Sequence, residues 1–163
     1  MKGGILVLAA ATWLLAPAAR AQTIARAYAG KDGKAHLEYA DGSTRIVPPE
    51  EKQVGCDHVA AAEDGRTAGW SVLIENCCTS YPIPIAVVLY RDGKKTMITT
   101  GQMISQWRFV GRGERVAVLS GPVHGYASEA LLIDARSGKR LQSWNGQGTV
   151  PEWAKGWEEE FQD

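Results

Sequence analysis

The residues best suited to chemistry are three cysteines, together with a few histidines and tyrosines. Cys77 and Cys78 are adjacent in the segment NCCTSYPIP (76–84), and Cys56 precedes them by 21 positions. Adjacent cysteines can form a strained vicinal disulfide, and cysteines far apart in sequence can form a structural disulfide. Thiolates with an imidazole can instead bind copper or zinc. All three kinds of site are open from the residue types alone.

The two disulfides would have different consequences. A bridge from Cys56 to Cys77 or Cys78 would close a loop of about twenty residues and stabilise the fold by about 3 kcal/mol. A Cys77–Cys78 bridge would strain the backbone, because neighbouring Cα atoms about 3.8 Å apart are closer than in ordinary disulfides. Such strain is typical of functional loops. Because three is an odd number, at least one thiol has no partner within the chain.

A metal site would combine Cys77, Cys78 and His124, with Cys56 or His58 as a further ligand. Adjacent cysteines seldom chelate one tetrahedral ion, and the sequence has no C-x-x-C or H-x-x-x-H spacing. It also has no G-x-S-x-G, phosphate-binding glycine loop or H-E-x-x-H. The prediction is therefore a protein without metal or cofactor, and a binding module rather than an enzyme.

The first 21 residues predict export. Lys2 precedes an apolar run at 5–15, and Ala19-Arg20-Ala21 matches a signal-peptidase site, so the mature chain is expected to start at Gln22 in the periplasm or outside the cell. An oxidising compartment permits disulfides. Without Lys2 and Arg20, 16 basic and 18 acidic residues remain, with no basic block. This balance argues against nucleic acid as a partner, and no later segment predicts a membrane span.

Short β-rich runs separated by glycine turns predict an all-β fold. AHLEY (35–39) and IAVVLY (85–90) are rich in residues that favour strands, and Asp92-Gly93 suits a two-residue hairpin turn. The order strand, turn, strand, long loop, strand, turn, strand occurs twice, in residues 57–101 and 102–147. Residues 22–56 contain a hairpin like half of another copy, and 148–163 form a tail or short helix.

The repeats predict one domain, 22–163, made of antiparallel blade-like sheets. The chain holds about two and a half such units, whereas a closed propeller ring takes at least four blades. The sheets are therefore expected to pack as a sandwich or open barrel, or to be completed by another chain, such as a second copy. Trp70, Trp107 and Trp144 are expected to pack in the core or at blade edges rather than to bind a sugar.

Two resemblances accompany this pattern. EDGRTAG (63–69) and DARSGKR (134–140) resemble the turn motifs of WD40-like repeats in exported bacterial β-propellers, over most of residues 57–144. NCCTSYPIP, a later W-x-F and a His-Gly pair are similar to an uncharacterised family of exported bacterial proteins, over most of the mature chain. The first resemblance implies blade-like sheets, and the second implies export but no activity.

The blade order predicts where a site lies. In a blade, one face carries both the loop between the second and third strands and the loop that enters the first strand. The candidate binding residues should therefore meet on that face. These are Cys77, Cys78, Tyr81, His124 and Tyr126, with Cys56 as the candidate disulfide partner. The predicted function is an exported binding module for a protein or small-molecule ligand. The alternative is a thiol-redox or metal-handling protein that uses Cys77, Cys78 and His124.

Overall fold

The structure is a computed structural model that describes residues 22–161, so the predicted signal peptide lies outside the described residues. The chain forms eleven strands and three short 3₁₀ helices in this range. The strands are β1 Ile24–Ala29, β2 Ala35–Tyr39, β3 Thr44–Ile46, β4 Gln53–Ala61, β5 Thr67–Ile74, β6 Ile83–Arg91, β7 Lys94–Thr99, β8 Met103–Val110, β9 Arg115–Gly121, β10 Glu129–Asp134 and β11 Arg140–Trp144. The 3₁₀ helices are Gly111–Gly113, Glu152–Ala154 and Glu158–Phe161.

The all-β prediction is confirmed. The strands form three antiparallel sheets, each a meander of neighbours in sequence, and none closes into a barrel. The first sheet contains β1–β3, the second β4–β7 and the third β8–β11. At the β6–β7 turn, Asp92 and Gly93 both have positive φ, 49° and 82°, as the predicted two-residue hairpin requires.

The second sheet is packed on both faces. Along β5, Ala68, Trp70 and Val72 join the core shared with the first sheet. The alternating residues Gly69 and Ser71 face Trp107 of the third sheet. Because successive side chains of a strand point to opposite faces, a strand buried on both sides must be almost continuously apolar or small. This explains why TAGWSVLI does not alternate with polar residues.

The tail covers the outer face of the third sheet. Trp153 and Trp157 are buried there among a core that includes Leu119, Leu132 and Trp144. The tail forms two 3₁₀ helices rather than one α-helix, because Gly156 between them has a φ of +86°. Aromatic residues of the tail thus bury the apolar surface that a further blade would otherwise cover.

At the other side of the stack, the outer face of the first sheet is largely polar. Register places Arg26 opposite Glu38, and Tyr28 opposite His36, on this face. Arg26 lies 4.8 Å from the Tyr28 ring centre, and the Tyr28 and His36 rings lie 5.3 Å apart. A polar face is what the terminal unit of a stacked-repeat protein needs for solubility. The tail therefore covers one outer face of this three-sheet stack, and polar side chains cover the other.

One predicted boundary differs from the structure. Strand β4 begins at Gln53, whereas the first repeat was expected to begin at residue 57. Cys56 therefore lies inside a strand, opposite Val72, and not in a loop. Within residues 22–161, no helix has the length and apolar character needed to cross a membrane.

Candidate ligand-binding groove

Five connections follow the same end of their strands, three within meanders and two from one meander to the next, and we call this end of the stack the turn end. They are residues 30–34, 47–52, 75–82, 100–102 and 122–128. Contacts between them tie the sheets together here: the Gln53 side chain donates to the Gly33 carbonyl at 3.4 Å, and Ser120 Oγ donates to Thr100 Oγ1 at 2.7 Å. The turn end contains the loops that were predicted to carry the site.

The NCCTSYPIP loop is shaped by its own side chains. Asn76 Oδ1 accepts from the Cys78 backbone N–H at 3.4 Å, and its amide donates to Thr79 Oγ1 at 3.3 Å. Thr79 Oγ1 in turn donates to the Tyr81 carbonyl at 2.6 Å. Cys77 and Cys78 are exposed, and Tyr81 is 54% exposed. The loop therefore presents both thiols and a tyrosine ring to solvent.

The predicted disulfide is not formed in the structure. None of the three cysteine pairs lies at bonding distance. Cys56 is buried in the core between the first and second sheets, and this burial raises the pKa of its thiol to about 11. The pKa of Cys78 is raised by its neighbour Cys77, first through a hydrogen bond and then through charge repulsion. Which pair would form on oxidation stays a prediction.

His124 and Tyr126 lie on the β9–β10 loop, and both are exposed. The backbone N–H of Ala127 in this loop donates to the Glu160 carbonyl at 2.8 Å, so the tail holds the loop in place. In the described part of the chain, no three or more His, Cys, Asp and Glu side chains are grouped to hold a metal. Cys77, Cys78 and His124 therefore share the turn end but do not converge on a common point.

A groove that the sequence did not predict lies between the second and third sheets. It has a volume of about 490 Å³, and we call it the inner groove. Its lining combines polar side chains with aromatic rings: Asp57, His58, Ser71, Pro84, Ser105, Gln106, Trp107, Arg108 and Trp157. This size and this mixture of groups are typical of small-ligand sites. Pro84 is the last residue of NCCTSYPIP, so the groove adjoins the turn-end loop.

His58 is placed in the groove by a β-bulge. The β4–β5 register breaks between Asp57 and Ala60, and His58 has a φ of +45° there. Bulges re-aim side chains next to functional sites, and a left-handed histidine stores strain. The exposed His58 ring meets the Trp107 ring edge-on, with centroids 4.9 Å apart. The strain therefore holds an imidazole on the groove wall.

The floor of the groove is fixed by hydrogen bonds from two indole N–H groups. Trp107 Nε1 donates to Ser71 Oγ at 3.1 Å, and Trp157 Nε1 donates to Gln106 Oε1 at 2.9 Å. Ser71 is 4% exposed, so its hydroxyl serves the packing of the two sheets. A preformed floor lowers the entropy cost of binding a ligand.

Arg108 fixes the tail side of the groove. Its guanidinium lies 4.3 Å from the Trp157 ring centre. It also donates to the backbone carbonyls of Trp153 and Lys155, at 2.9 and 2.6 Å. Much of its donor capacity is therefore used in holding the tail. The remaining groove surface offers the His58 imidazole, the Ser105 hydroxyl and the Asp57 carboxylate to a ligand.

Sequence reasoning missed this groove because its signal is weak. Asp57 and His58 are visible as an adjacent pair, but nothing in the residue types indicates the bulge that turns the imidazole toward Trp107. Comparison with protein-family models and with curated proteins found no match. The chemistry of the groove therefore rests on its own residues.

Proposed function

We propose that the protein is an exported, non-enzymatic binding module whose ligand occupies the inner groove. The single observation that carries this proposal is the strained His58, held over Trp107 at the wall of a 490 Å³ groove. Strain of this kind persists only where the surrounding structure enforces it, and it clusters at ligand sites. The expected ligand is a small polar molecule, or a short segment of a protein, with hydrogen-bonding groups.

The turn-end loops form the outer rim of the proposed site. Pro84 lines the groove, and the exposed part of NCCTSYPIP ends two residues before it, at Pro82. Tyr81 and Tyr126 are each more than half exposed, and exposed tyrosines are frequent anchors in interfaces. A ligand longer than the groove would extend along this loop toward Cys77 and Cys78. The predicted site residues thus become rim residues of a deeper site.

The thiol-redox or metal-handling alternative has less support. A reactive cysteine needs a lowered pKa, because the thiolate is the nucleophile and the metal ligand. Here the pKa of Cys78 is raised by Cys77, and that of Cys56 is raised by burial. The described residues also contain no cluster of three or more ligands suited to a metal.

The proposal can be tested by nuclear magnetic resonance on the ¹⁵N-labelled mature protein. A library of small polar molecules and short peptides is added, and the indole N–H signals of Trp107 and Trp157 report binding in the groove. A ligand should shift these two signals and leave Trp70 unmoved, because Trp70 lies in the core between the first and second sheets.

The decisive variant is His58→Asn. Asparagine tolerates the left-handed conformation, so the bulge should survive while the imidazole is lost. Binding should weaken strongly, with thermal stability equal or higher. His36→Asn is the matched control, since it removes a histidine from the outer face of the first sheet. Equal binding by His58→Asn, or ligand shifts confined to other surfaces, would exclude the groove as the site.

A further inference from the structure

The opposite end of the stack carries a basic cleft. Two adjoining cavities, of about 530 and 390 Å³, lie between the second and third sheets and share Arg91 and Arg136. We call them together the hairpin-end cleft, because the tight hairpin turns of both sheets surround it. Its charged lining residues are Arg66, Arg91, Lys94, Lys95, Arg112, Arg115 and Arg136, with Asp64, Asp92, Glu114 and Asp134.

The cleft concentrates positive charge. Seven basic and four acidic side chains line it, and one of the basic residues, Lys95, is also paired with Glu50 at 2.5 Å, so an excess of two positive charges remains. The whole chain has 18 basic and 18 acidic residues, so this excess is local. Concave surfaces lined by one sign of charge focus the electric field and attract ligands of the opposite sign.

Part of the charge is already neutralised within the cleft. Arg91 lies 2.9 Å from an oxygen of Asp64, and Arg66 lies 2.6 Å from an oxygen of Asp92. The Asp134 carboxylate accepts two backbone N–H groups and a hydroxyl of its own turn. These acids stabilise paired arginines and turns, and they offer little to the rest of the cleft.

Three guanidiniums remain without a carboxylate. Among residues 22–161, Arg112, Arg115 and Arg136 take part in no ion pair. Arg115 is only partly exposed, and its guanidinium lies over Gly111, where an added Cβ would be 3.0 Å from its Nη2. With Arg91 and Asp64 paired, the cavity of about 530 Å³ sets these three guanidiniums against the carboxylates of Glu114 and Asp134, and a bound anion would offset the remaining positive charge.

The backbone that presents these arginines is tied together. The Asp64 backbone N–H donates to the Arg112 carbonyl at 3.1 Å, and that of Ala135 donates to the Glu114 carbonyl at 2.9 Å. Three turns, each far from the others in sequence, are thus linked around one cavity. Arg112 itself has a φ of +59° in its 3₁₀ turn, another strained residue at a concave site.

We propose that the hairpin-end cleft binds a small soluble molecule through its phosphate group. A guanidinium has planar donors that match phosphate oxygens in pairs, and three unpaired guanidiniums can surround one tetrahedral dianion. A cavity of about 530 Å³ exceeds a single phosphate and leaves room for the organic part of a ligand. This site is separate from the inner groove and does not depend on its function.

Calorimetric titration with inorganic pyrophosphate tests the proposal, with citrate as a polycarboxylate of similar charge. Pyrophosphate should bind at low salt with a Kd below about 1 mM, more tightly than citrate, and more weakly as salt is added. Arg112→Ala and Arg136→Ala should each weaken binding about tenfold. Arg136→Lys, which keeps the charge but loses the paired donors, should restore only part of it.

Arg26→Ala is the matched control, because it removes the same charge from the outer face of the first sheet. His58→Asn should leave pyrophosphate binding intact, so the two sites are tested separately. The proposal is overturned if pyrophosphate does not bind, if citrate binds as tightly, or if Arg26→Ala weakens binding as much as Arg136→Ala. Sedimentation with phosphatidylglycerol vesicles, without binding of free pyrophosphate, would instead assign the cleft to a lipid headgroup and refute a soluble ligand.

Discussion

Gly69 of the second sheet packs directly against Trp107 of the third, and its replacement by alanine should loosen the contact between the two sheets. An added Cβ would lie 2.7 Å from Trp107 Cη2, 3.1 Å from Leu89 Cδ2 and 3.2 Å from Trp107 Cζ3. Carbon atoms in contact are ordinarily about 3.5–4.0 Å apart, so the indole must move by most of an ångström. Trp107 is 3% exposed and cannot move freely.

The cost can be estimated from overpacked cores. Adding a methyl group to a filled interior costs about 1–3 kcal/mol, from which the gain of replacing a strand glycine, about 0.5–1 kcal/mol, is subtracted. The net loss of about 0–2.5 kcal/mol corresponds to a fall in melting temperature of up to about 10 °C for a domain of this size. Moving the indole also lengthens its bond to Ser71, which is 3.1 Å in the structure.

Thermal and urea unfolding of Gly69→Ala measure this loss, with Gly55→Ala as the control. Gly55 is also a strand glycine, but a Cβ there would meet only Leu73, at an ordinary 3.5 Å. Gly55→Ala should therefore be neutral or slightly stabilising. Adding Trp107→Leu to Gly69→Ala should show a favourable coupling in a double-mutant cycle. Equal stability of the two glycine variants, or strictly additive effects in the cycle, would refute this packing.

Three further predictions concern the thiols, an acidic turn and the tail. In reduced native protein at mild alkaline pH, a thiol reagent should label Cys77 and Cys78 quickly and Cys56 only on unfolding. The reason is that burial raises the Cys56 pKa to about 11. Rapid labelling of all three thiols would contradict this. Burial raises the pKa of Asp64, but hydrogen bonds and Arg91 outweigh it and hold that pKa below its ordinary value of 3.8. Its contribution to stability is thus present above 3.8 and lost as the pH falls through the lowered value. Asp64→Asn should therefore flatten the acid side of the stability curve measured in urea, and an unchanged curve would argue against it. Trp157→Ala should lower the free energy of unfolding by about 3–5 kcal/mol, measured by urea unfolding, because the buried indole is lost. It should also promote self-association, measured by light scattering, because apolar surface of the third sheet is exposed. A variant that stays a stable monomer would mean that the tail does not cover the third sheet as described.

The strands and their order could be predicted because the pattern is local. AHLEY at 35–39 coincides with β2, and the repeated strand–turn order gives the two four-stranded meanders. The core positions of Trp70, Trp107 and Trp144 are likewise confirmed. These features depend on turn residues and on side-chain type, which are readable one segment at a time.

The sites could not be predicted because they depend on contacts between distant segments. The bulge at His58 is a matter of register, which the residue types around Asp57 do not specify. The hairpin-end cleft assembles Arg112, Arg115 and Arg136 from two separate turns, beside Asp64 of a third. In sequence each of these residues is an ordinary charged turn residue. Only the packing of the second sheet on the third places their charges around one cavity.

The stacking of three sheets explains why both proposed sites lie at the same seam. The seam between the first and second sheets is filled by apolar side chains, with Cys56 and Trp70 among them. The seam between the second and third is also filled by apolar side chains, with Leu89 and Val118 among them. At this seam Trp107 packs against a glycine and a serine, and the seam opens into the inner groove on one side and the hairpin-end cleft at the other end. A change that moves Trp107 should therefore weaken ligand binding at His58, because the two rings are in direct contact. The shape of the hairpin-end cleft depends on backbone hydrogen bonds between its turns. The same change should therefore weaken pyrophosphate binding only if the two sheets rotate as rigid bodies. Measuring the binding of the groove ligand and of pyrophosphate to Gly69→Ala separates these cases. Weaker binding in the inner groove alone means that the indole is displaced locally. Weaker binding at both sites means that the two sheets shift as units.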